Sequence, residues 1–427
     1  MDKIKQIVSH FTDNDAYTFS VQYYILHTYP RAEVRYSFFD RNNTRYPKGF
    51  DKLLQEQING MKDVVITEEE IAFMKSKIYF LPDWYYNFLR GYRFNPSEVH
   101  IFQDLEGYLS IMIEGKWYST IMWEMPILST ISELMHIVNG DIEKVNYETE
   151  YLRAYNKGNV AFRKGILLSD MGTRRRFSFQ NQQVVIKALK DVYNDLLNEK
   201  EITIPTDKGN KVLKMPKPTG KFVGTSNVWF AKEFGLTPIG TMSHQICSFE
   251  ECVSGVFECN SQVMKKWSDV YDGDLGIFLP DCFGSKVFLS NFSKKMAKMF
   301  DGIRIDSGDE RKETEKMIEK YQLLGIDPAT KSIVYSNALT IDKAIELHKW
   351  LDGRMKDSYG IGTHLCADVT NSETTEKFPY SNIVIKLVGM RITECREWHD
   401  CVKLSNDKGK TLGNKEKCEY LIKQIGA

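Results

Sequence analysis

The stretch Phe300-Asp301-Gly302-Ile303-Arg304-Ile305-Asp306-Ser307-Gly308-Asp309 decides the reading of the fold. It follows an amphipathic helix. Gly302–Ile305 reads as a short strand, and the turn behind it gathers carboxylates, a hydroxyl and a glycine next to Arg304. Such a turn can hold a charged sugar phosphate and its metal. Arg304 supplies a fork for phosphate oxygens, Asp306 can accept from vicinal hydroxyls or hold a hydrated Mg²⁺, and Gly308 lets the backbone come close. Taken alone, the same run also reads as a surface turn with salt bridges.

The unit recurs on both sides. From about Trp123 a long apolar helix, Pro126–Val138, leads into short apolar strands alternating with helices: Ile166–Leu168, Phe222–Val223, Ile239–Thr241, Leu275–Phe278, Gly302–Ile305, Ser332–Tyr335 and Asp357–Tyr359. Strand-then-helix repetition predicts a parallel sheet, and this number of units predicts a barrel, closed or irregular, with its chemistry at the strand C-terminal ends. Polar runs fall just there: Ser169-Asp170, Gly224-Thr225-Ser226-Asn227, Ser243-His244, Asp281, Asp306-Ser307, Ser336-Asn337 and Gly360–Thr363. Residues 1–125 read as an α+β domain, with a helix at Ala16–His27, a strand at Glu33–Phe39, a helix at Lys48–Met61 and strand alternation at Tyr108–Ile113. The barrel covers 126–374. Residues 375–427 return to β at Asn382–Val388 and Cys401–Leu404, end in a helix, and are expected to close back on the N-terminal domain. Glu199–Gly220 breaks the rhythm and reads as an inserted hairpin or lid.

Composition narrows the function. Of 427 residues, Lys plus Arg and Asp plus Glu number 57 each, so no bulk field draws the chain to nucleic acid or an anionic membrane, and any anion site is local. The eight cysteines contain no C-x-x-C pair and suit neither a zinc knuckle nor a disulfide scaffold, so reduced, mostly buried thiols are expected. The start, Met1-Asp2-Lys3-Ile4-Lys5, lacks an apolar signal core, and no window nears a membrane span. The expectation is a cytoplasmic globular enzyme.

Three further turns carry chemistry. Gly172-Thr173-Arg174-Arg175-Arg176 places three arginines at a strand end, where one or two turned inward would bind phosphate; the alternatives are a solvated basic helix start or a nucleic-acid patch. His244, in Gly240-Thr241-Met242-Ser243-His244-Gln245, sits where free helix amides would stabilise a phosphoryl group on the imidazole. Gly360-Ile361-Gly362-Thr363 could cup a terminal phosphate with backbone amides. Asp281 sits at another strand end and could equally cap a helix, while His348, His364 and His399 read as structural or exposed.

In this order, these motifs resemble the nicotinate phosphoribosyltransferase family nearly end to end. Asp13-Asn14-Asp15-Ala16-Tyr17 is similar to the family's N-terminal T-D-x-Y element, and Phe94-Asn95-Pro96, Gly172–Phe177, Phe222–Asn227, Gly240-Thr241-x-x-His244, Asp281-Cys282, Arg304–Asp309, Gly360–Thr363 and Ile383-Val384-Ile385-Lys386-Leu387 follow in family order. The resemblance implies an irregular (β/α) barrel with an accessory N-terminal domain and a homodimer whose subunits complete each other's active sites. It implies transfer of the phosphoribosyl group from 5-phosphoribosyl 1-pyrophosphate to nicotinate, the first step of NAD salvage from nicotinate, with Mg²⁺ present and ATP hydrolysis coupled through phosphorylated His244. In that scheme Asp281 orients His244 or the ring side of the site, and Asp306 holds ribose hydroxyls or metal. Arg304 and Arg174 take anionic groups, Gly360, Gly362 and Thr363 take the 5-phosphate, and Tyr17 of a neighbouring subunit stacks on the pyridine. Thr225, Ser226, Ser307 and Gly308 complete the substrate contacts. Relatives that use nicotinamide tend to carry aspartate where Ser226 stands; a carboxylate there would repel nicotinate, whereas a hydroxyl can donate to it. Two positions depart from the pattern: Met171 stands where a stacking phenylalanine is common, and Asn337 where aspartate is frequent. The alternatives are a nicotinamide-using enzyme and a phosphoribosyl-compound binding protein that has lost catalysis.

Overall fold

Glu33–Asp40 buries Val34, Tyr36 and Phe38 in alternation, as a strand covered on one face does, whereas in Gly302–Ile305 every residue but Arg304 is buried, as in a strand covered on both. That contrast separates two sheets. The structure is a computed structural model and describes residues 4–198, 201–206, 209–214, 217–405 and 411–426. In chain order the strands are Glu33–Asp40 (β1), Val99–Gln103 (β2), Leu109–Lys116 (β3), Leu167–Asp170 (β4), Glu201–Thr206 (β5), Gly209–Lys214 (β6), Lys221–Thr225 (β7), Thr237–Pro238 (β8), Ile277–Phe278 (β9), Gly302–Ile305 (β10), Ser332–Tyr335 (β11), Lys356–Ile361 (β12), Ile383–Arg391 (β13) and His399–Asp400 (β14).

The first sheet is antiparallel, in the order β14-β13-β1-β3-β2. The returning tail supplies β13, which pairs with β1 from Glu33↔Arg391 to Asp40↔Ile383 across a bulge at Arg35/Tyr36. The second sheet has seven parallel strands in the order β8-β7-β4-β12-β11-β10-β9. Among the described residues β8 and β9 do not pair with each other, so the barrel is irregular and open, a curled half-barrel. Both are only two residues long, too short to carry a closing ladder. Helices Tyr147–Arg163 and Phe179–Asn198 pack on the half-barrel's strands, while Glu124–Val138, buried over most of its surface, packs on β13 of the first sheet.

Three expected elements differ. The strand expected at Ile239–Thr241 lies earlier, as β8, because the chain then leaves the sheet to pass under the first helix, where Ser20 Oγ donates to the Thr241 carbonyl at 2.7 Å. Cys401–Leu404 is not a strand. Cys401 N still donates to Val388 O, after which Lys403 and Leu412 exchange backbone hydrogen bonds, an isolated bridge. Gly360 and Ile361 do not follow a strand but are the end of β12, so the turn proper starts at Gly362. The insertion contains the expected hairpin, β5 with β6, in register from Glu201↔Lys214 to Thr206↔Gly209; its residues 199, 200, 207, 208, 215 and 216 lie outside the described residues.

A buried knot joins the N-terminal segment to the half-barrel. Arg176 and Asp13 are both fully buried, and Arg176 Nη1 and Nη2 donate to Asp13 Oδ1 and Oδ2 at 2.7 and 2.8 Å, the bidentate geometry that a guanidinium favours. Asn227 Nδ2 donates to the same Asp13 at 2.7 Å while its Oδ1 caps helix Val228–Phe234. Ala16 N donates to Ser226 O at 2.7 Å and Val228 N to Asn14 O at 3.0 Å, so residues 12–16 are laced onto the turn after β7. Removing one member of such a pair strands the other charge in the interior. Asp13→Ala is expected to lower unfolding free energy by about 3–5 kcal/mol. Replacing both groups, Asp13→Leu with Arg176→Met, is expected to recover part of that loss. Denaturant titration of the three proteins checks both expectations.

Candidate active site

Strand order decides which turns meet. Those after β4, β7, β8, β10, β11 and β12, joined by the first helix and the tail, open into one cavity of about 770 Å³. The site lies at the strand C-terminal ends.

At its centre is a histidine–carboxylate cluster. His244 begins helix His244–Ser254 and is 8 % exposed. Its Nε2 meets Asp281 Oδ1 at 2.8 Å, Lys403 Nζ at 3.0 Å and Asp306 Oδ2 at 3.9 Å. Burial, then the Lys403 charge, push the imidazole down to about 4, so the ring is neutral at neutral pH and its nitrogens differ as donor and acceptor. Burial works to raise Asp281 and Asp306. It is overcome by His244 and Lys403 at Asp281, which is held well below the usual carboxylate range, and by Arg304 and His244 at Asp306. Ser307 Oγ donates to Asp281 Oδ2 at 2.5 Å and Ser336 Oγ to Asp306 Oδ1 at 2.7 Å, which fixes both carboxylates.

Around the cluster stands a cationic rim: Arg174, Arg175, Arg304, Lys386 and Lys403 all line the cavity. Burial, followed by Arg174 and Arg41, lowers the Arg175 guanidinium to about 9; burial, with Arg174 and Lys403 adding to it against Glu124, lowers Lys386 to about 8. Cations crowded this closely repel one another until an anion enters. Two polar atoms at the wall, Arg304 Nε and Ser243 Oγ, are buried with no hydrogen-bond partner. Unpaired buried donors of this kind are unusual in a finished interior and fit a ligand site.

The far wall is built on glycine. A Cβ at Gly360 would lie 2.4 Å from Met171 Sδ, one at Gly362 2.5 Å from the Met171 carbonyl oxygen, and one at Gly172 2.4 Å from Cys366 Sγ. These strand ends approach one another too closely for any side chain. Beneath them Asp170, fully buried, accepts from Gly172 N (3.0 Å), Gln182 Nε2 (3.1 Å), Thr225 Oγ1 (2.7 Å) and Cys366 Sγ (3.1 Å). It ties the turns after β4, β7 and β12 together.

The cavity wall thus includes Tyr17, Met171, Arg174, Ser226, His244, Arg304, Asp306, Gly360, Gly362 and Thr363. Four expected site residues are not on it. Thr225 turns its hydroxyl inward to Asp170, Asp281 stands behind His244, Ser307 supports Asp281, and Gly308, at φ +82°, shapes the turn while its carbonyl accepts from Asn337 Nδ2 at 3.3 Å. Tyr17, expected from a neighbouring subunit, lines the cavity of its own chain and donates to Glu124 Oε2 at 3.0 Å, because residues 12–16 are bound to their own β7 turn. His364 is not simply structural; it lines the cavity. Asp309 caps the following helix through Lys312 N. Sequence reading left open which of the three arginines turns inward, and gave no role to Asp15, Glu124, Lys386 and Lys403. The signal for both lysines was present: each interrupts an apolar β-like run, Val384-Ile385-Lys386-Leu387 and Cys401-Val402-Lys403-Leu404. Asp15 accepts from Ser226 Oγ at 2.8 Å and is pushed up to about 6 by burial.

A half-barrel of parallel strands with a histidine, two carboxylates and a cationic rim at the strand ends defines an α/β protein with a cation-rimmed cavity. The pattern of the nicotinate phosphoribosyltransferase (NAPRTase) family matches residues 166–425, and that of its N-terminal domain residues 12–132; the chain belongs to this family. A nicotinate phosphoribosyltransferase of Desulforapulum autotrophicum is 36 % identical over 98 % of this chain and 99 % of its own. The crystal structure of nicotinate phosphoribosyltransferase from Porphyromonas gingivalis superposes with a TM-score of 0.89 at 34 % identity, covering 99 % of this chain and 100 % of that one. The corresponding structure from Vibrio cholerae gives 0.83 at 27 % identity over 99 % and 94 %.

The glycine wall makes a graded prediction. Gly362→Ala drives a Cβ into backbone and is expected to weaken binding of 5-phosphoribosyl 1-pyrophosphate more than Gly360→Ala, whose clash is with a flexible thioether. Adding Met171→Ala is expected to rescue Gly360→Ala and leave Gly362→Ala unrescued, read by titration calorimetry.

Proposed function

We propose that the protein transfers the 5-phosphoribosyl group from 5-phosphoribosyl 1-pyrophosphate to nicotinate, giving nicotinate mononucleotide and pyrophosphate, and that ATP drives turnover by phosphorylating His244. The observation that carries this reading is the meeting of His244, from the turn after β8, with Arg304 and Asp306, from the end of β10, in one cation-rimmed cavity. Loss of pyrophosphate leaves positive charge on the anomeric carbon, so the protein's task is positioning and electrostatics. The rim of arginines and lysines gathers the phosphate and pyrophosphate oxygens, with Arg304 and Arg174 as the main forks. Asp306 holds the ribose hydroxyls and faces the developing charge. The narrow Gly360–Thr363 turn takes the 5-phosphate, and Tyr17 and Met171 flank the pyridine. A phosphoryl group on His244 adds charge and acceptors beside the pyrophosphate site, a route from ATP to substrate affinity.

Mg²⁺ fits one member of the acidic cluster. His244, Asp281 and Asp306 offer atoms within 4.8 Å of one another, but both Asp281 oxygens are already hydrogen-bonded and Mg²⁺ prefers oxygen to imidazole. Asp306, with a partly exposed carboxylate, would hold the hydrated ion, which when bound neutralises pyrophosphate charge. Working in the cytoplasm as a homodimer belongs to the same proposal; among the described residues no helix is long and apolar enough to cross a membrane.

Incubation with nicotinate, 5-phosphoribosyl 1-pyrophosphate and Mg²⁺-ATP is expected to yield the mononucleotide, and omission of each component in turn to remove or slow it; absence of product with either pyridine would refute the reading. His244→Ala is expected to lose ATP stimulation and ATPase activity while retaining slow transfer. A second reading, nicotinamide as acceptor, is favoured by one feature: Ser226 Oγ is engaged with Asp15, whose carboxyl could accept from an amide N–H. Competition between the two pyridines separates them. Ser226→Asp would place a second carboxylate against Asp15, and the ratio of kcat/KM for nicotinate to that for nicotinamide is expected to fall by about tenfold or more, the worth of one unfavourable buried charge contact.

A further inference from the structure

Two sulfurs meet where the tail crosses the helix that carries His244. Cys252 lies just over two turns along helix His244–Ser254, and Cys401 lies two residues before Lys403, whose ammonium is 3.0 Å from His244 Nε2. Their Sγ atoms are 3.7 Å apart although 149 positions separate the residues, and both are free thiols. Cys401 is fully buried, whereas Cys252 is half-buried. The Cys252 sulfur lies 3.3 Å from the Asp400 carbonyl oxygen, 3.5 Å from Glu251 Oε2 and 3.3 Å from Lys417 Nζ. Lys417, on the C-terminal helix Lys415–Ile425, also donates to Glu251 Oε2 at 2.5 Å and to the Asp400 carbonyl at 2.7 Å, so its ammonium is pinned beside the sulfur.

The two thiols differ as the partners of a reacting pair do. Cys252 has solvent on one side and a cation on the other, the surroundings in which a cysteine attacks an oxidant. Burial works to lower the Lys417 ammonium and is overcome by Cys252 and then Glu251. Burial, with the contact to Cys252 adding to it, pushes the Cys401 thiol up, so Cys401 stays protonated until the sulfur beside it is activated. In a reducing compartment a disulfide between such residues is transient, a response rather than a staple.

We propose that Cys252 and Cys401 are a modification site, oxidised by hydroperoxides to a reversible disulfide that ties the tail to the helix carrying His244. The Cys252 sulfur attacks the peroxide; the O–O bond breaks with its electron pair leaving on the distal oxygen, which takes the thiol proton, and Cys252 becomes a sulfenic acid. The Cys401 sulfur then attacks the Cys252 sulfur, the S–O bond breaks, and the hydroxide leaves as water with the Cys401 proton. Two thiols are thereby oxidised, and the peroxide is reduced to two waters, or to water and an alcohol. Bonding draws the sulfurs from 3.7 Å to about 2.0 Å. The helix is the stiffer partner, because residues 401–403 are held only by Cys401 N on Val388 O and by the two backbone bonds exchanged with Leu412. The shift therefore falls on the tail and moves Lys403 relative to His244 at the cavity. Its effect on turnover rests on the transfer proposed above; the disulfide does not.

The test is treatment of the full-length reduced protein with hydrogen peroxide, blocking of the remaining thiols with iodoacetamide, and mass spectrometry of the non-reduced digest. A linked pair of peptides joining Cys252 to Cys401 is expected, released as two separate peptides by dithiothreitol. Cys252→Ser is expected to leave Cys401 a free thiol, and Cys401→Ala to leave a sulfenic acid on Cys252 that dimedone traps. Absence of the linked pair in wild type, with Cys252 unmodified or carried to the sulfinic acid, overturns the proposal whether or not the variants fold. Formation of nicotinate mononucleotide is the second readout. Oxidised wild type is expected to lose about tenfold or more in kcat, the effect of displacing a group of the site by about 1 Å, and to regain it with dithiothreitol, while peroxide leaves Cys252→Ser as active as before. A linked pair with unchanged turnover overturns the coupling to the site. No turnover of reduced wild type removes the phosphoribosyl transfer instead, and the peptide map decides the disulfide apart from it.

Discussion

The structure hangs on a buried ion pair far from any solvent. Asp13 and Arg176 lie 163 positions apart, are both fully buried, and meet through two hydrogen bonds. Glu133 approaches the same guanidinium at 3.7 Å, and burial, against the pull of Arg176, pushes its carboxyl up to about 7. Burying these charges is costly unless every donor finds an acceptor, and the geometry here satisfies the fork almost completely, Arg176 Nε alone lacking a hydrogen-bond partner. Such a pair adds little net stability but tolerates few arrangements. It fixes where the N-terminal segment crosses the turns after β4 and β7. Everything on that segment, Asp15 and Tyr17 included, is thereby delivered to the cavity of its own chain.

The second constraint is electrostatic. Lysines and arginines balance aspartates and glutamates over the whole chain, yet at the strand ends the cations are concentrated, and burial depresses Arg175 and Lys386. The fold holds these like charges together at the strand ends, and their mutual repulsion is relieved by any anion that enters. The carboxylates at the centre have the opposite part. Asp281 and Asp306 remain ionised because His244, Lys403 and Arg304 stand beside them.

Much of this was legible. Gly302–Ile305 and Ser332–Tyr335 are strands with the boundaries that their apolar runs suggest, and the polar turns behind the strands do share one rim. What misled was local reading of hydroxyls and of short runs. Thr225 and Ser307 stand in polar turns and look available, but each has a carboxylate within reach inside the protein and turns to it. Cys401–Leu404 has the composition of a strand, yet its next partner is Leu412 rather than a sheet edge.

Residue types and their periodicity determined the succession of strands and turns, because a strand's burial pattern and a glycine's freedom are properties of a few neighbouring residues. The sequence by itself therefore named the histidine, the aspartates, the arginines and the glycine turn. Only the tertiary structure decided which of two candidate partners each polar group takes, since that choice depends on distances across the fold. Lys403 and His244 are 159 positions apart, and no local pattern says that their nitrogens come within 3.0 Å. Sheet order and the buried ion pair bring them together, and with them the chemistry of the site.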